Sequence, residues 1–432
     1  MTMTTEKQKS STLPMIIVAG LFFILGFATW LNGSLMPYLK QILQLTPFEA
    51  SLIVGSFYIA VTFTALPSAS IIRKVGYKNG MALGMATMMI AGLLFIPAAE
   101  TQIFPLFLFA QLVMGTGITL LQTAVNPYVV RLGPEESAAA RISIMGILNK
   151  SAGVVAPMVF AALILSGFES YGGQELTVAQ INNMADSLIM PYLGMALFLG
   201  LLAFAVKKSP LPELPSEADE DDGKTHGHIK EALAHPNLAF GVLALFFYVA
   251  VEVIAGDTIG TFALSLGVKN YAVMTSYTMV CMVIGYILGI FLIPKYVSQH
   301  IALTVSAILG LILTLAVVFS DSHSFVIANS ILVPFGGAQL PDTLLLIAFL
   351  GLANAIVWPA VFPLALSGMG KLTSTGSALL IMGISGGAFG PMVWGLSSST
   401  SLGQQGAYLV MLPCYLFILF YAVKGHKMRS WN

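Results

Sequence analysis

The chain has 432 residues, of which 57% are hydrophobic and only 9% charged, and its 19 basic and 19 acidic residues cancel to a net charge of zero. Soluble chains carry roughly 25% charged residues, so a soluble fold is excluded and the bilayer is the solvent. The balanced charge also gives a nucleic-acid partner nothing to hold.

A membrane-spanning helix needs about 20 apolar residues, so the length leaves room for about twelve. Residues Met1 to Ser11 are polar and basic. The apolar run after them is too long for a signal segment and lacks a small-residue cleavage site, so it is expected to stay as the first span. Spans are expected near Leu13–Leu39, Ala50–Ile72, Gly80–Pro97, Phe104–Val130, Ile142–Leu165 and Leu188–Val206. The stretch from Lys207 to Pro236, with several prolines and the acidic run Glu217–Asp222, reads as a solvated linker. Six more spans follow, near Leu238–Leu266, Ala272–Ile293, Ile301–Phe319, Leu344–Leu366, Gly376–Leu396 and Ala407–Val423. The expected fold is an all-α membrane protein. Its twelve transmembrane helices fall into bundles over residues 1–206 and 237–432, joined by a linker over 207–236.

Basic residues orient such a chain, because they are retained on the cytoplasmic side. With the N-terminus inside, 16 of the 19 lysines and arginines fall on the cytoplasmic side. Only Lys40 and Lys269 fall outside, and Lys150 lies within a span. Both termini and the linker are therefore expected in the cytoplasm. Cys281 and Cys414 are far apart inside apolar runs, which suits packing and not a disulfide or a metal site.

The halves repeat each other. QTAVNPYVV (Gln122–Val130) matches WPAVFPLAL (Trp358–Leu366), and NKSAGVVAPMVF (Asn149–Phe160) matches GISGGAFGPMVW (Gly383–Trp394). The paired prolines Pro127/Pro363 and Pro157/Pro391 are 236 and 234 residues apart, so one register, with a two-residue gap in the intervening loop, covers both blocks. Duplicated bundles of this kind hold a substrate near the midplane between them.

Four motifs carry a family resemblance: GFATWLNGSLMPYLK in the first span, RKVGYKNG after the second, LLQTAVNPYVVRLGPE closing the fourth and YVAVEV in the seventh. With them the chain resembles the major facilitator superfamily, and within it the fucose/galactose/glucose permease branch of bacterial sugar symporters. The resemblance implies twelve helices, alternating access and a monosaccharide substrate, with glucose or galactose ahead of N-acetylglucosamine, mannose and fucose. The proton-coupled fucose permeases carry an Asp in the first span and a Glu in the fourth, and the matching positions here are Gly33 and Gln122. Neither takes a proton. Other members of the branch run on sodium, so sodium is the expected coupling cation.

Charged groups inside a membrane are costly and mark function by default. Here they are Lys150 in the fifth span and Glu252 and Asp257 in the seventh. Lys150 is open to three readings: a fixed charge in the cavity, a partner of Glu252, or a lysine snorkelling to the interface. Glu252 is open to direct cation binding or a counter-ion role. Asp257 lies about 140° further round an ideal helix. It shares an ion with Glu252 only if the helix unwinds near Gly256 and Gly260, and otherwise faces water in the outer vestibule. No histidine falls inside a span, so a histidine proton relay is absent.

A sugar site needs amides for hydroxyl groups and an aromatic face for the C–H side of the ring. Gln122 and Asn126 share one face of the fourth span, and Asn354 and Trp358 one face of the tenth. Under the repeat register Gln122 corresponds to Trp358, an amide opposite an indole. Asn149, Asn32 and Trp30 are lesser members of the site. The segment RKVGYKNG (Arg73–Gly80) resembles the superfamily's cytoplasmic gating loop without its acidic member, and Arg73 and Lys74 are expected either to pair with helix ends in one conformer or simply to mark the cytoplasmic side.

These features point to a secondary transporter that imports a hexose, working as a monomer with no cofactor beyond a bound sodium ion. An uncoupled uniporter using Lys150 as a permanent charge, and a proton symporter for another sugar, are the alternatives. No nucleophile–base pair or metal cluster appears within the spans, which disfavours an intramembrane enzyme.

Overall fold

The computed structural model describes residues 12–132, 138–165, 176–213, 225–293, 295–369 and 372–431. Among these residues twelve helices are long and apolar enough to cross a membrane, which makes this a multi-pass membrane protein. They are α1 (Leu13–Ile42), α2 (Pro47–Ala65), α3 (Tyr77–Thr101), α4 (Phe104–Asn126), α5 (Ile144–Leu165) and α6 (Val178–Lys208), then α7 (Pro236–Ser265), α8 (Tyr271–Leu292), α9 (Gln299–Phe319), α10 (Asp342–Leu366), α11 (Thr375–Ser398) and α12 (Gly403–Lys427). The described residues contain no strand.

Local chemistry sets the ends of these helices. Thr46 starts α2 with a capping box, its side chain accepting from the Glu49 N–H while the Glu49 carboxylate accepts from the Thr46 N–H at 2.8 Å. Thr177 and Gln180 do the same for α6. The helix begun by α2 runs on to Val75 and stops at Gly76, whose φ of +84° suits a residue without a side chain.

Packing partners repeat with a shift of six. In the first half α1 lies against α5, α2 against α4, and α3 against α4 and α6. In the second α7 lies against α11, α8 against α10, and α9 against α10 and α12. Two bundles of like construction result. They meet through α2 with α11 and α5 with α8, contacts that the same shift exchanges, and through α1 with α7 and α8. Both first helices are broken, α1 at Leu31 and α7 at Thr258. Interruptions at corresponding places in two halves mark the region where transporters build their sites.

The seam is closed at the face away from the linker. There the Ser34 hydroxyl donates to the Ala272 carbonyl, Tyr271 to Gln41 at 3.1 Å and Ser276 to the Val154 carbonyl at 2.7 Å, all between bundles. Among the described residues, three hydrogen bonds at the linker face do not cross between the bundles: Asn237 to the Ala365 carbonyl at 3.1 Å, Arg429 to Ser367, and Tyr128 to the Pro212 carbonyl at 2.8 Å at the start of the linker.

The linker departs from its expected solvated form in one place. Thr225–Leu233 is helical and packs on α7 and α11 with Ala232 buried, its second half carrying the good helix formers Lys230, Glu231, Ala232 and Leu233. The acidic run Glu217–Asp222 lies outside the described residues.

Candidate functional site

The centre of the seam holds an ion pair. Lys150 projects from α5 and Glu252 from α7, and their Nζ and Oε1 atoms are 2.5 Å apart with both side chains buried. Of the readings open for Lys150, pairing is the one the structure adopts. One turn before Glu252, the Tyr248 hydroxyl donates to the same Oε1 at 2.8 Å. On the other side Lys150 Nζ lies 4.4 Å from the centre of the Trp30 ring, within range of a cation–π contact. A buried pair of this kind is costly to break from one side, by about 3–5 kcal/mol, since the remaining charge loses its partner.

The row continues into the second bundle. The Trp358 ring stands 6.4 Å from Tyr248 and stacks on Phe362 at 5.7 Å with the planes 24° apart. Trp358, Tyr248, Glu252, Lys150 and Trp30 thus form one line of aromatic and charged groups across the seam.

The expected sugar residues separate into two groups. Gln122, Asn126, Asn149 and Trp358 are half-buried and keep part of their surface free of protein contacts. Asn354 is fully buried, with its Oδ1 accepting from the Tyr415 hydroxyl at 2.8 Å, and Asn32 is buried with its Oδ1 accepting from Gln111 Nε2 at 2.8 Å. Each of these two bonds lies within one bundle. Trp30 is also buried, and Gly153 on α5 and Gly256 on α7 press so closely on its ring that a side chain at either would collide with it.

Asp257 does not face an outer vestibule. Its side chain is wholly buried just before the break at Thr258, and neither carboxylate oxygen has a hydrogen-bond partner. The reason is that α1 and α8 close over this part of α7, an arrangement that counting along one helix does not reveal. Although α7 breaks where Gly256 and Gly260 allow it, Glu252 turns to Lys150 and leaves Asp257 unpaired.

In this arrangement Arg73 and Lys74 are not the residues of the Arg73–Gly80 segment that meet a helix end. Arg73 and Lys74 are exposed, and Arg73 bonds to Ser70 Oγ of its own helix at 3.2 Å. The helix continues past both residues, so they point outward. Lys78, beyond the turn at Gly76, is the residue that meets a helix end, donating to the Ser209 carbonyl at the close of α6 at 2.8 Å.

Tyr248, Gln111 and Tyr415 were not foreseen. Tyr248 could have been found, since a tyrosine four residues before a membrane glutamate lies on its face of the helix. Gln111 and Tyr415 carry no such signal, because each acts on a partner remote in sequence. Among the described residues no group of three or more His, Cys, Asp or Glu could hold a metal ion.

Residues 18–391 match the Major Facilitator Superfamily. The glucose/galactose transporter of Brucella abortus (strain 9-941) is 32% identical over 432 residues, covering 98% of this chain and 96% of that protein. The L-fucose-proton symporter of Escherichia coli (strain K12) is 27% identical, covering 96% and 94%. Among solved structures, a Major Facilitator Superfamily transporter, FucP, in the outward conformation superposes with a TM-score of 0.70 at 26% identity, covering 96% of this chain and 99% of that one.

Proposed function

Since the chain belongs to the Major Facilitator Superfamily, where its relatives are sugar transporters and not enzymes, we propose that it imports a hexose, glucose or galactose first, by alternating access coupled to a sodium gradient. The two bundles rock about the Trp358–Lys150 row as a monomer in a bacterial inner membrane, with the linker and both termini cytoplasmic. In that orientation the arrangement described above, closed away from the linker, is the inward-facing one.

The observation that carries the sugar reading is the half-buried set of expected sugar residues: amides at Gln122, Asn126 and Asn149 for hydroxyl groups, and the Trp358 indole for an apolar ring face. The likeness to a named glucose/galactose transporter over nearly the whole chain supports the same substrate class. Sodium is supported by Gly33 and Gln122, which have no titratable side chain. A second reading, proton coupling, is favoured by the relative named as a fucose-proton symporter.

Uptake of labelled glucose, galactose, N-acetylglucosamine and fucose into vesicles with imposed sodium or proton gradients tests the proposal. Accumulation of glucose or galactose driven by sodium is expected. Accumulation in sodium-free buffer on a proton gradient selects the second reading, and no movement of any hexose removes the substrate class.

A further inference from the structure

Asp257 stands where two bundles close on each other, and neither of its carboxylate oxygens meets a hydrogen-bond donor. A Cβ added at Gly33 on α1 would overlap the Thr275 hydroxyl and lie 3.0 Å from Asp257 Oδ1 and 3.1 Å from the Gly256 carbonyl oxygen. Three oxygens of the second bundle therefore converge on bare backbone of the first. The Thr275 hydroxyl donates its hydrogen to the Gly256 carbonyl at 2.7 Å, so only lone pairs remain to face the carboxylate. One turn further along, the Thr261 hydroxyl is likewise buried without a partner. The charged and titratable groups that reach Asp257 electrostatically are Lys150 on α5, Glu252 on α7 and Tyr58 on α2. Lys150, the cation among these groups, is already held by Glu252.

Building on the transport reading, we propose that Asp257, with Thr275 Oγ1 and the Gly256 carbonyl, binds a sodium ion, and that this ion is the condition for closing the seam. An ionised carboxylate cannot be enclosed among acceptors without a counter-charge. A hard cation is suited by carboxylate, hydroxyl and carbonyl oxygens together. With the bundles apart, water solvates Asp257; when they close, the ion takes over that role. Closure therefore follows ion binding, which ties the gate to the cation without a direct contact between ion and sugar. Gly33 belongs to the device because any side chain there would fill the space into which the oxygens point.

The test is the thermal stability of the purified full-length protein in detergent, titrated with sodium chloride against choline chloride at equal ionic strength and at two pH values. Sodium is expected to raise the melting temperature of the native protein, and Asp257→Asn is expected to abolish that shift while melting above the native protein in choline. Thr275→Val should raise the sodium concentration for half effect about tenfold, a loss of about 1.4 kcal/mol in binding. It also serves where the Asn variant does not fold. A sodium shift that persists in Asp257→Asn overturns the site. No sodium response in the native protein, with a pH response that Asp257→Asn removes, overturns the sodium assignment in favour of a proton. Sugar counterflow at equal sodium on both sides tests the transport reading separately: native protein that exchanges no hexose defeats that reading and leaves the sodium shift to be judged by itself.

Discussion

Glu252 and Asp257 lie five residues apart on α7, both buried at the seam, yet one accepts from two partners and the other has no hydrogen-bond partner. Glu252 meets a lysine from the opposite bundle and a tyrosine of its own helix. Asp257 meets acceptors and bare backbone. The break at Thr258 follows Asp257 directly, so the first carboxylate sits on a regular helix with an i, i−4 neighbour while the second sits at an interruption. A regular helix positions side chains to satisfy one another. An interruption frees oxygens for something the chain does not itself supply.

The largest expected effect breaks the partnered side of this contrast. Lys150→Met or Glu252→Gln alone should lower unfolding stability by about 3–5 kcal/mol, because each leaves one uncompensated or poorly matched group in the seam. The double variant should recover most of that loss. Unfolding measured on all four proteins gives the coupling, and simple additivity of the two single effects would mean that the pair contributes nothing as a pair.

A smaller effect separates the tyrosine from the lysine. Tyr248→Phe removes one hydrogen bond to a charged oxygen, a loss of about 1.5–3 kcal/mol that leaves the ion pair in place. In the Lys150→Met/Glu252→Gln background the acceptor is no longer charged, so the same change should matter less. Equal losses in both backgrounds would show that Tyr248 serves packing alone.

The same contrast between satisfied and free groups extends to the amides. Gln122→Ala and Trp358→Ala should each weaken sugar binding about tenfold or more, since losing a contact that leaves a buried partner unsatisfied costs about 1–3 kcal/mol. Asn354→Ala should instead lower stability, because its Oδ1 holds the Tyr415 hydroxyl. Calorimetric titration with the transported hexose, beside a melting curve, reads both. Unchanged binding in folded Gln122→Ala and Trp358→Ala would remove that pair from the site.

How much of this the sequence disclosed depended on the range of the interaction. The twelve spans were legible because hydropathy is local, and the pseudo-symmetry because the proline-marked blocks repeat in order. Depth along a helix can also be counted, which set Lys150 and Glu252 at the same level before their contact was known. Rotation about the helix axis and docking across the seam cannot be counted. That is why Asp257 was open to a vestibule reading, and why Asn354 and Trp358, on one face of α10 by spacing, proved to have different surroundings. Interruption of α10 at Ile356, between those two residues, breaks the rule of spacing on which the grouping rested. Arg73 and Lys74 against Lys78 repeat the lesson, since the turn at Gly76 decides which lysine reaches the end of α6.

The smallest expected effect concerns Trp30, which touches the partnered side through its π face alone. Trp30→Phe has three consequences. It weakens the cation–π contact with Lys150, opens space against Gly153 and Met279, and deletes a buried indole N–H that has no acceptor. The last of these favours the variant and the first two oppose it, so the net change in stability does not isolate any one of them. A cycle does. Packing and the orphaned N–H are the same whether or not the charges are present, so they cancel when Trp30→Phe is compared in the native protein and in the Lys150→Met/Glu252→Gln background. The surviving difference is the response of the ring to the charge, expected at about 0.5–1 kcal/mol in favour of tryptophan because its face attracts a cation more strongly than that of phenylalanine. A difference of zero would mean that Glu252 alone holds Lys150 and that Trp30 is only a wedge between the bundles.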